Sequence, residues 1–452
     1  HLALYSTLSR RGDVAGMTRT AAELLSVAKQ IASPRAEAEA NLAAAISGLW
    51  QGDITYSRER ALYALNVGER AQELAICCRA NRWLVIVGMY LGDHQFMRYY
   101  AERGLAVARR LGTPNLEVAL RLRLAHANFM AGAWTESLEQ GLECLDLARR
   151  VGNPRDLACS LTEQAIMLVL RGDLPEAESC IAEARMVFGV EAPADRGVFG
   201  LIDVAETALA LERGQAEEAL AIAKGFNHPS AFPMAPDILP PPNWPMGLML
   251  LAEAQVASGE AEDALETARK ISILGASDAR YLIALGLRAE GLARQALNQP
   301  EAAQECLSGA LQIFAALRMP FESARTLLDK AILVFQGGAG QQKVAARDAQ
   351  QCLDTFERLG ARRYAERVRR LLGDFGVPSA PARRHRLGGV FLSGRELEIA
   401  RLAAAGLTTA EIAGRLTISQ RTVTTHLHHI YSRLGIGSRT ALARQVIEAG
   451  LL

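Results

Sequence analysis

Apolar residues recur at helical spacing along most of the chain. In the segment that follows Gly172, for example, they stand at Ala177, Cys180, Ile181 and Ala184, a spacing of i, i+3, i+4 and i+7. This spacing places an apolar stripe on one side of a helix. Ala and Leu dominate the composition and β-branched runs are scarce, which also favours helix over strand. The pattern therefore predicts an all-α chain.

A turn signal recurs in this pattern with a period of 40 residues. Glycine can take the left-handed conformation that ends a helix, and an Asp or Glu suited to capping the next helix follows most of these glycines. The glycines that keep the period are Gly12, Gly52, Gly92, Gly132 and Gly172, and the series continues less regularly at Gly214 and Gly259. A second break carries a Pro, as at Pro114, Pro154 and Pro320. Because Pro cannot continue a helix, each period predicts one helical hairpin.

A single hairpin of this kind cannot bury its own apolar face, whereas stacked hairpins can. About nine units fit between residues 1 and 372, so the sequence predicts a helical solenoid over this range. In period and hairpin pattern the units resemble tetratricopeptide repeats. They lack the usual signature of about 34 residues, and HEAT-like packing remains an alternative.

A proline-rich segment interrupts the hairpins between Phe226 and Gly247. It contains seven of the 16 prolines of the chain, and proline at this density excludes a regular helix. Long loops are often functional, so Phe232, Met234 and Trp244 are predicted to contribute to a ligand or partner surface. The alternative is a loop that packs its aromatic side chains over a gap between adjacent hairpins.

The hairpin pattern ends near Leu372. Residues 373–389 are dominated by Pro, Gly, Ala and Arg and predict a linker, and residues 390–452 predict a second domain. From Arg383 to the C-terminus the chain has ten Arg, no Lys and four Glu, a net charge of +6, whereas the whole chain has a net charge of +1. A basic end on an acidic body favours a polyanionic partner at that end.

Four helices are predicted in this second domain. Two Ser/Thr-x-x-Glu pairs, Ser393 with Glu396 and Thr408 with Glu411, have the spacing of a capping box at a helix start. Ser419 is expected to cap a third, longer helix, and a fourth follows it. A short helix, a brief turn and a longer helix with a polar face is the helix-turn-helix arrangement.

The third of these helices has two distinct faces. Its apolar residues form one stripe suited to burial: Val423, Leu427, Ile430 and Leu434. Its opposite face carries polar and basic side chains: Arg421, Thr424, Thr425, His428 and Ser432. Such side chains can enter the major groove of DNA and reach the base edges.

Residues 390–452 resemble the LuxR-type helix-turn-helix family. The matching residues, which stand in the family's order, are Arg395, Glu396, Gly406, Glu411, Ile412, Ala413, Leu416, Ser419, Thr422, Val423, His426, Ile430, Leu434 and Arg439. Together with the repeats, the chain is similar to the C-terminal part of the large ATP-binding LuxR-family regulators of the maltose-regulator type. The sensor arms of those proteins carry tetratricopeptide-like repeats of this longer period.

The resemblance implies roles for individual residues. The base-reading positions of the family fall on Thr424, Thr425 and His428. Its phosphate contacts fall near Ser419, Thr422 and Arg439, and charge adds Arg421 and Arg433 to the candidate phosphate contacts. Thr424 stands where the family often has Lys, so one of the family's phosphate or guanine contacts is absent here.

Other chemistry is not predicted. No run of about 18 uninterrupted apolar residues indicates a membrane span. No G-x-x-x-x-G-K-[ST], G-x-S-x-G or H-E-x-x-H motif occurs, so neither catalysis nor a cofactor is expected. His426, His428 and His429 have no Cys or carboxylate near them on that helix face, so no metal site is expected. The seven cysteines include no C-x-x-C pair and are predicted as core residues, which fits a reducing cytoplasm.

These observations predict a bacterial DNA-binding transcription regulator of the cytoplasm, associated with the nucleoid when it is bound to DNA. Its repeats are expected to sense an unknown inducer or protein partner and to control promoter binding, as a homodimer or oligomer on double-stranded DNA. RNA polymerase is a further candidate partner. Because the chain begins with His1 rather than Met, it is expected to be a fragment, with any ATPase domain in a missing N-terminal region. The alternative is a helical-repeat interaction scaffold with a C-terminal docking domain, and a weaker one is an enzyme subunit with a regulatory tail.

Overall fold

The computed structural model describes residues 4–5, 8, 13–188, 196–226, 244–274, 279–336, 341–374, 376, 385–387, 390–392, 394–416 and 420–449. The chain divides into two compact units, His1–Phe375 and Gly376–Leu452. The predicted fold class, a tetratricopeptide-like array of helical hairpins followed by a four-helix domain, is confirmed.

Eighteen helices lie in the described part of the first unit. In chain order they are α1 (Val14–Ile31), α2 (Pro34–Trp50), α3 (Ile54–Arg70), α4 (Leu74–Leu91), α5 (His94–Leu111), α6 (Pro114–Met130), α7 (Trp134–Val151), α8 (Pro154–Arg171), α9 (Leu174–Phe188), α10 (Arg196–Glu212), α11 (Ala216–Phe226), α12 (Trp244–Ala257), α13 (Ala261–Leu274), α14 (Arg280–Ala296), α15 (Pro300–Ala316), α16 (Pro320–Gln336), α17 (Gln342–Leu359) and α18 (Arg362–Asp374).

The turns between these helices follow the predicted signals. The periodic glycines among the described residues all have a positive φ, between 72° and 91°: Gly52, Gly92, Gly132, Gly172, Gly214 and Gly259. After two of these turns an Asp caps the next helix: the carboxylate of Asp53 accepts a hydrogen bond from the amide of Tyr56, and that of Asp93 accepts one from the amide of Phe96. These bonds satisfy amides in the first turn that have no partner within the helix. Pro114, Pro154 and Pro320 are each the first residue of a helix, where proline loses no hydrogen bond. Gly12 lies outside the described residues.

The even-numbered helices form an inner row. Each of α2, α4, α6, α8, α10, α12 and α14 contacts the next even-numbered helix, in addition to the odd-numbered helices beside it. The inner helices therefore bury more than one face, as α4 does with residues from Ile76 to Tyr90. Among the described helices α4 is the one long and apolar enough to cross a membrane by length and composition, but 67% of it is buried within the array.

The array also closes on itself, which the repeat pattern did not predict. Helix α14 contacts α4, and α18 contacts α8. The turn at Gly92 lies against Tyr281 and Leu317, and the turn at Gly132 lies against Pro320 and Leu359. The C-terminal hairpins thus pack onto the ends of inner helices from the N-terminal half, along a surface that we call the seam.

Aromatic packing and ion pairs hold the seam together. The ring of Phe321 lies 4.9 Å from that of Trp134 and 5.2 Å from that of Tyr364, measured between centroids, so it joins α7 to α16 and α18. Aromatic side chains of this size bury a large apolar area and prefer such tilted arrangements. Arg362 of α18 forms an ion pair with Asp173, and Arg363 pairs with Glu212.

Two short segments differ from the sequence-based expectation. Helix α12 begins at Trp244, inside the segment predicted as a loop, because Pro245 is tolerated in the first turn of a helix. Phe232 and Met234 lie outside the described residues. Strand β1 (His385–Leu387) pairs antiparallel with β2 (Val390–Leu392), so a small hairpin occupies the end of the predicted linker.

We expect Gly92→Ala to lower the free energy of unfolding more than Gly152→Ala. Both glycines end a helix with nearly the same φ, 72° and 71°, so the cost of placing Ala in the left-handed region, about 1–2 kcal/mol, is shared. A Cβ at position 92 would lie 2.9 Å from Cβ of Tyr281, whereas position 152 has nothing within 4 Å. The seam should therefore add about 1–3 kcal/mol to the loss in Gly92→Ala.

Urea unfolding of the two variants and the parent chain, followed by circular dichroism, measures this difference. Equal losses in the two variants would contradict the packing of the seam at Gly92.

Candidate nucleic-acid interface

The second unit contains four helices around one apolar core. They are α19 (Gly394–Ala404), α20 (Thr409–Leu416), α21 (Gln420–Leu434) and α22 (Arg439–Glu448). Residues from all four are buried together: Leu397, Ile399, Ala400, Ala403, Ile412, Ala413, Leu416, Val423, Leu427, Ile430, Leu442 and Val446. The four predicted helices are thus present, and α20 followed by α21 gives the helix-turn-helix order.

A capping box fixes the start of α20. The backbone amide of Thr408 donates to Oε2 of Glu411 at 2.6 Å, and the amide of Glu411 donates to Oγ1 of Thr408 at 3.2 Å. The hydrogen bond from the Thr408 amide, then that from its hydroxyl, and the charge of Arg439 lower the pKa of Glu411. This reciprocal pair was predicted from sequence and orients the short helix before α21. Ser393 of the other predicted box lies outside the described residues.

Helix α21 buries its apolar stripe, as predicted. Val423 and Ile430 have no exposed surface and Leu427 is 7% exposed, while Leu434 packs at the edge of the core. Burial of these four positions fixes the rotation of the helix, because a turn about its axis would expose them to water. The opposite face is therefore presented to solvent.

Two of the three predicted base-reading side chains can be located. Thr424 and His428 are exposed, one turn apart on the face opposite the stripe. The hydroxyl of Thr424 donates to the carbonyl of Gln420 at 2.9 Å, and the ring of His428 lies 6.5 Å from that of its neighbour His429. The side chains of Thr425, Arg421 and Thr422 lie outside the described part of α21, and Ser419 lies outside the described residues.

The two remaining predicted phosphate ligands make contacts within the domain. Nη1 of Arg433 donates to both carboxylate oxygens of Glu396, at 2.9 and 3.0 Å, which ties α21 to α19. Nε of Arg439 donates to the carbonyl of Ala403 at 3.2 Å, and its Nη2 donates to the carbonyl of Leu407. Arg439 thereby ties the start of α22 to the end of α19 and to the turn that follows it. The sequence motif identified Arg433 and Arg439 but not their partners within the domain. Contact of these two arginines with DNA phosphates stays a prediction.

We expect Arg433→Ala to loosen α21. Glu396 is 9% exposed, so removal of Arg433 takes two charge-assisted hydrogen bonds from a nearly buried carboxylate, at a cost of about 1–3 kcal/mol. Arg444→Ala is the matched control, because its ion pair with Glu448 is exposed, with side chains 81% and 61% accessible, and such pairs contribute about 0.5 kcal/mol or less.

Hydrogen exchange of the amides between residues 420 and 434, measured in the full chain, should be faster in Arg433→Ala than in Arg444→Ala. The same exchange rate in both variants would show that Arg433 does not anchor the helix.

Comparison with known proteins supports this arrangement. Residues 390–446 match the sequence model of the family described as bacterial regulatory proteins, luxR family. Proteins named "Putative HTH-type transcriptional regulator" from Mycobacterium bovis and from two strains of Mycobacterium tuberculosis are each 27% identical to the chain over 476 residues. Each alignment covers 95% of this chain and 50% of the relative, so the chain spans about half the length of the curated relatives that it matches.

Two solved structures show weaker similarity to this chain. A signal transduction ATPase with numerous domains and a tetratricopeptide repeat sensor, from Pyrococcus horikoshii, is 13% identical, with a TM-score of 0.40 over 70% of this chain and 50% of that chain. A Rap protein complexed with competence and sporulation factor is 11% identical, with a TM-score of 0.38 over 92% of this chain and 98% of that chain.

The family match covers β2, all of α19–α21 and most of α22, the same residues that build the core and the exposed face of α21. The C-terminal part of this chain is therefore a helix-turn-helix domain that belongs to the luxR family of bacterial regulatory proteins.

Proposed function

We propose that this chain is the sensing and DNA-reading part of a bacterial transcription regulator. One observation carries the proposal: α21 buries Val423, Leu427 and Ile430 and exposes Thr424 and His428 on its opposite face. A helix held in this way after a short capped helix is suited to lie in a major groove. The match of the same residues to the luxR family of bacterial regulatory proteins supports a role of this domain in regulation through DNA binding.

In the proposed complex, Thr424, Thr425 and His428 face the base edges. His428 has a ring that can donate to or accept from a base, and Thr can also contact a thymine methyl group. Ser419, Arg421 and Thr422 at the start of α21, together with Arg433 and Arg439, are proposed to face phosphates. Arg433 and Arg439 would do so while they keep their contacts to Glu396, Ala403 and Leu407, since a guanidinium carries five donors.

The helical repeats are proposed to receive the signal. An inducer or protein partner on the inner row would change the packing or assembly of the array, and two chains would then bind adjacent half-sites. Helix α22 is the proposed contact between the two DNA-binding domains, because Ile447 on it is 59% exposed although it is a large apolar residue. RNA polymerase is a further proposed partner. The mass of the complex on DNA with two half-sites measures whether a dimer binds.

Location and chemistry follow from this role. A protein that binds chromosomal DNA in a bacterium works in the cytoplasm, on the nucleoid, and we propose that location here. Residues 1–452 are proposed to act without catalysis and without a cofactor. Because the chain spans half of its curated relatives, an ATP-binding domain elsewhere in the whole protein stays a prediction.

The binding of duplex DNA by the full chain should weaken steeply with salt. Each phosphate contacted adds a slope of about −0.9 to the plot of log affinity against log salt concentration, and fluorescence anisotropy of labelled genomic fragments measures it. A flat plot, or no binding, would contradict the proposal and favour a scaffold whose C-terminal domain docks a protein.

His428→Ala should reduce the preference for a selected sequence over random DNA by about 1–3 kcal/mol, because a base contact is lost. His429→Ala is the matched control: it removes an exposed ring from the adjacent position of the same helix, outside the predicted reading set. Competition of selected and random duplexes for each variant measures the preference. An equal change in both variants would show that His428 does not read a base.

A further inference from the structure

A recess opens on the seam, where three parts of the array that are far apart in the chain meet. It has a volume of about 420 Å³, and its lining comes from the α6–α7 turn at Gly132, the α15–α16 turn at Arg318 and Met319, and the end of α17 at Arg358. Pockets that bind small molecules have volumes of about 300–1,000 Å³. The recess at these turns and helix ends is therefore large enough for a small molecule.

Two exposed arginines give the recess its charge. None of the described residues that line it is Asp or Glu, and the guanidinium groups of Arg318 and Arg358 have no hydrogen-bond or ion-pair partner in the described part of the chain. The three carboxylates within four residues of either arginine are bonded elsewhere: Glu322 to Arg325 at 3.5 Å, Glu357 to Arg369 at 2.6 Å and Asp354 to Gln350 at 3.1 Å. Both guanidinium groups are thus available to an anion from outside the chain.

Arg318 stands where the equivalent turns carry glycine. In the turns LGTP, VGNP and LRMP, the second residue is Gly112, Gly152 and Arg318, respectively. All three have a left-handed backbone, with φ of 62°, 71° and 55°. This conformation is unfavourable for a residue that has a Cβ. Arg318 therefore costs the turn free energy that glycine would not, which favours a role for its side chain outside the turn.

The lining of the recess matches a phosphate group on a small organic body. A guanidinium presents its donors in a plane that fits two oxygens of a phosphate, and a phosphate monoester carries about two negative charges near pH 7.5, enough for both arginines. The hydroxyl of Ser323 also lines the recess. It has no partner among the described residues and can donate to a further oxygen. Met319 and Leu359, which are both nearly buried, add an apolar floor.

We propose that this recess binds a small phosphate monoester. Its phosphate would accept hydrogen bonds from Arg318, Arg358 and Ser323, and its organic body would lie on Met319 and Leu359. This site is additional to the inducer site proposed on the inner row. A monoanion of the same shape would leave one arginine without a partner, so the charge of the ligand is the property that the recess selects.

The bound ligand would join parts of the array that close the seam. A Cβ at position 132 would lie 2.5 Å from Cγ of Pro320 and 3.2 Å from Cδ2 of Leu359. The α6–α7 turn thus packs closely against the two elements that carry the arginines. A ligand that contacts the α15–α16 turn and α17 together binds the closed array better than an open one. It therefore stabilises the closed array as its concentration rises above its dissociation constant.

Phenyl phosphate is the probe and phenyl sulfate its control, because the two molecules have nearly the same shape but differ by about one negative charge. Isothermal titration calorimetry of the full chain near pH 7.5 should show one phenyl phosphate bound per chain. Phenyl sulfate should bind at least about tenfold more weakly, equivalent to about 1.4 kcal/mol. Phenyl phosphate should also raise the melting temperature more than phenyl sulfate does at the same concentration.

Arg318→Gly separates binding from folding. It introduces the glycine of the equivalent turns, so the variant should melt at or above the temperature of the parent. It should nevertheless bind phenyl phosphate at least about tenfold more weakly, because a charged donor group is lost. Gln72→Gly is the matched control, since Gln72 is exposed and has a φ of 57° in a turn that does not line the recess. It should bind like the parent.

Arg358→Ala should also weaken the binding of phenyl phosphate about tenfold, and Arg358→Lys should weaken it less because Lys keeps the charge. Arg110→Ala is the matched control for this position. Arg110, like Arg358, is the exposed penultimate residue of an 18-residue helix that is followed by a glycine of positive φ. It does not line the recess, and its variant should bind like the parent.

Unchanged binding in Arg318→Gly and Arg358→Ala would overturn the proposal, as would equal affinities for phenyl sulfate and phenyl phosphate. Fluorescence anisotropy with duplex DNA, without phenyl phosphate, is a second check. Both variants should bind DNA like the parent. A loss of DNA affinity in both would show that these arginines contact DNA phosphates instead, which also overturns the proposal. If the parent does not bind DNA, the proposed function alone fails, and the calorimetry still decides the anion site.

Discussion

The fold of the first unit depends on one constraint: a helical hairpin has more apolar surface than it can bury by itself. Stacking solves this for neighbouring hairpins, and the inner row of even-numbered helices is the result. The two ends of a stack still lack a neighbour on one side. Here the later hairpins pack on the turns at Gly92 and Gly132. In a straight stack of hairpins these turns would face solvent.

Arginine supports this packing throughout the chain, where it outnumbers lysine 45 to 5. A guanidinium offers several donors in a fixed plane, so one side chain can satisfy carbonyls or carboxylates on two elements. Arg288 does this between Glu253 and Asp329, and Arg439 does it with the carbonyl of Ala403 in α19 and that of Leu407 in the turn after it. Burial acts to raise the pKa of Glu253, but the charges of Arg325 and Arg288 outweigh it and lower that pKa.

Local rules explain how much of this could be predicted from sequence. The turns at Gly52 and Gly92, the Thr408–Glu411 box and the buried stripe of α21 each depend on residues within a few positions of one another, and all are confirmed. The seam joins Trp134 to Phe321, residues that no periodicity relates. The Glu396–Arg433 pair likewise has no local signature. The pair Gly388-Gly389 is typical of the two-residue turns that join hairpin strands. The sequence therefore contained a signal for the β1–β2 hairpin, but the Pro, Gly, Ala and Arg content of residues 373–389 led to the prediction of a linker.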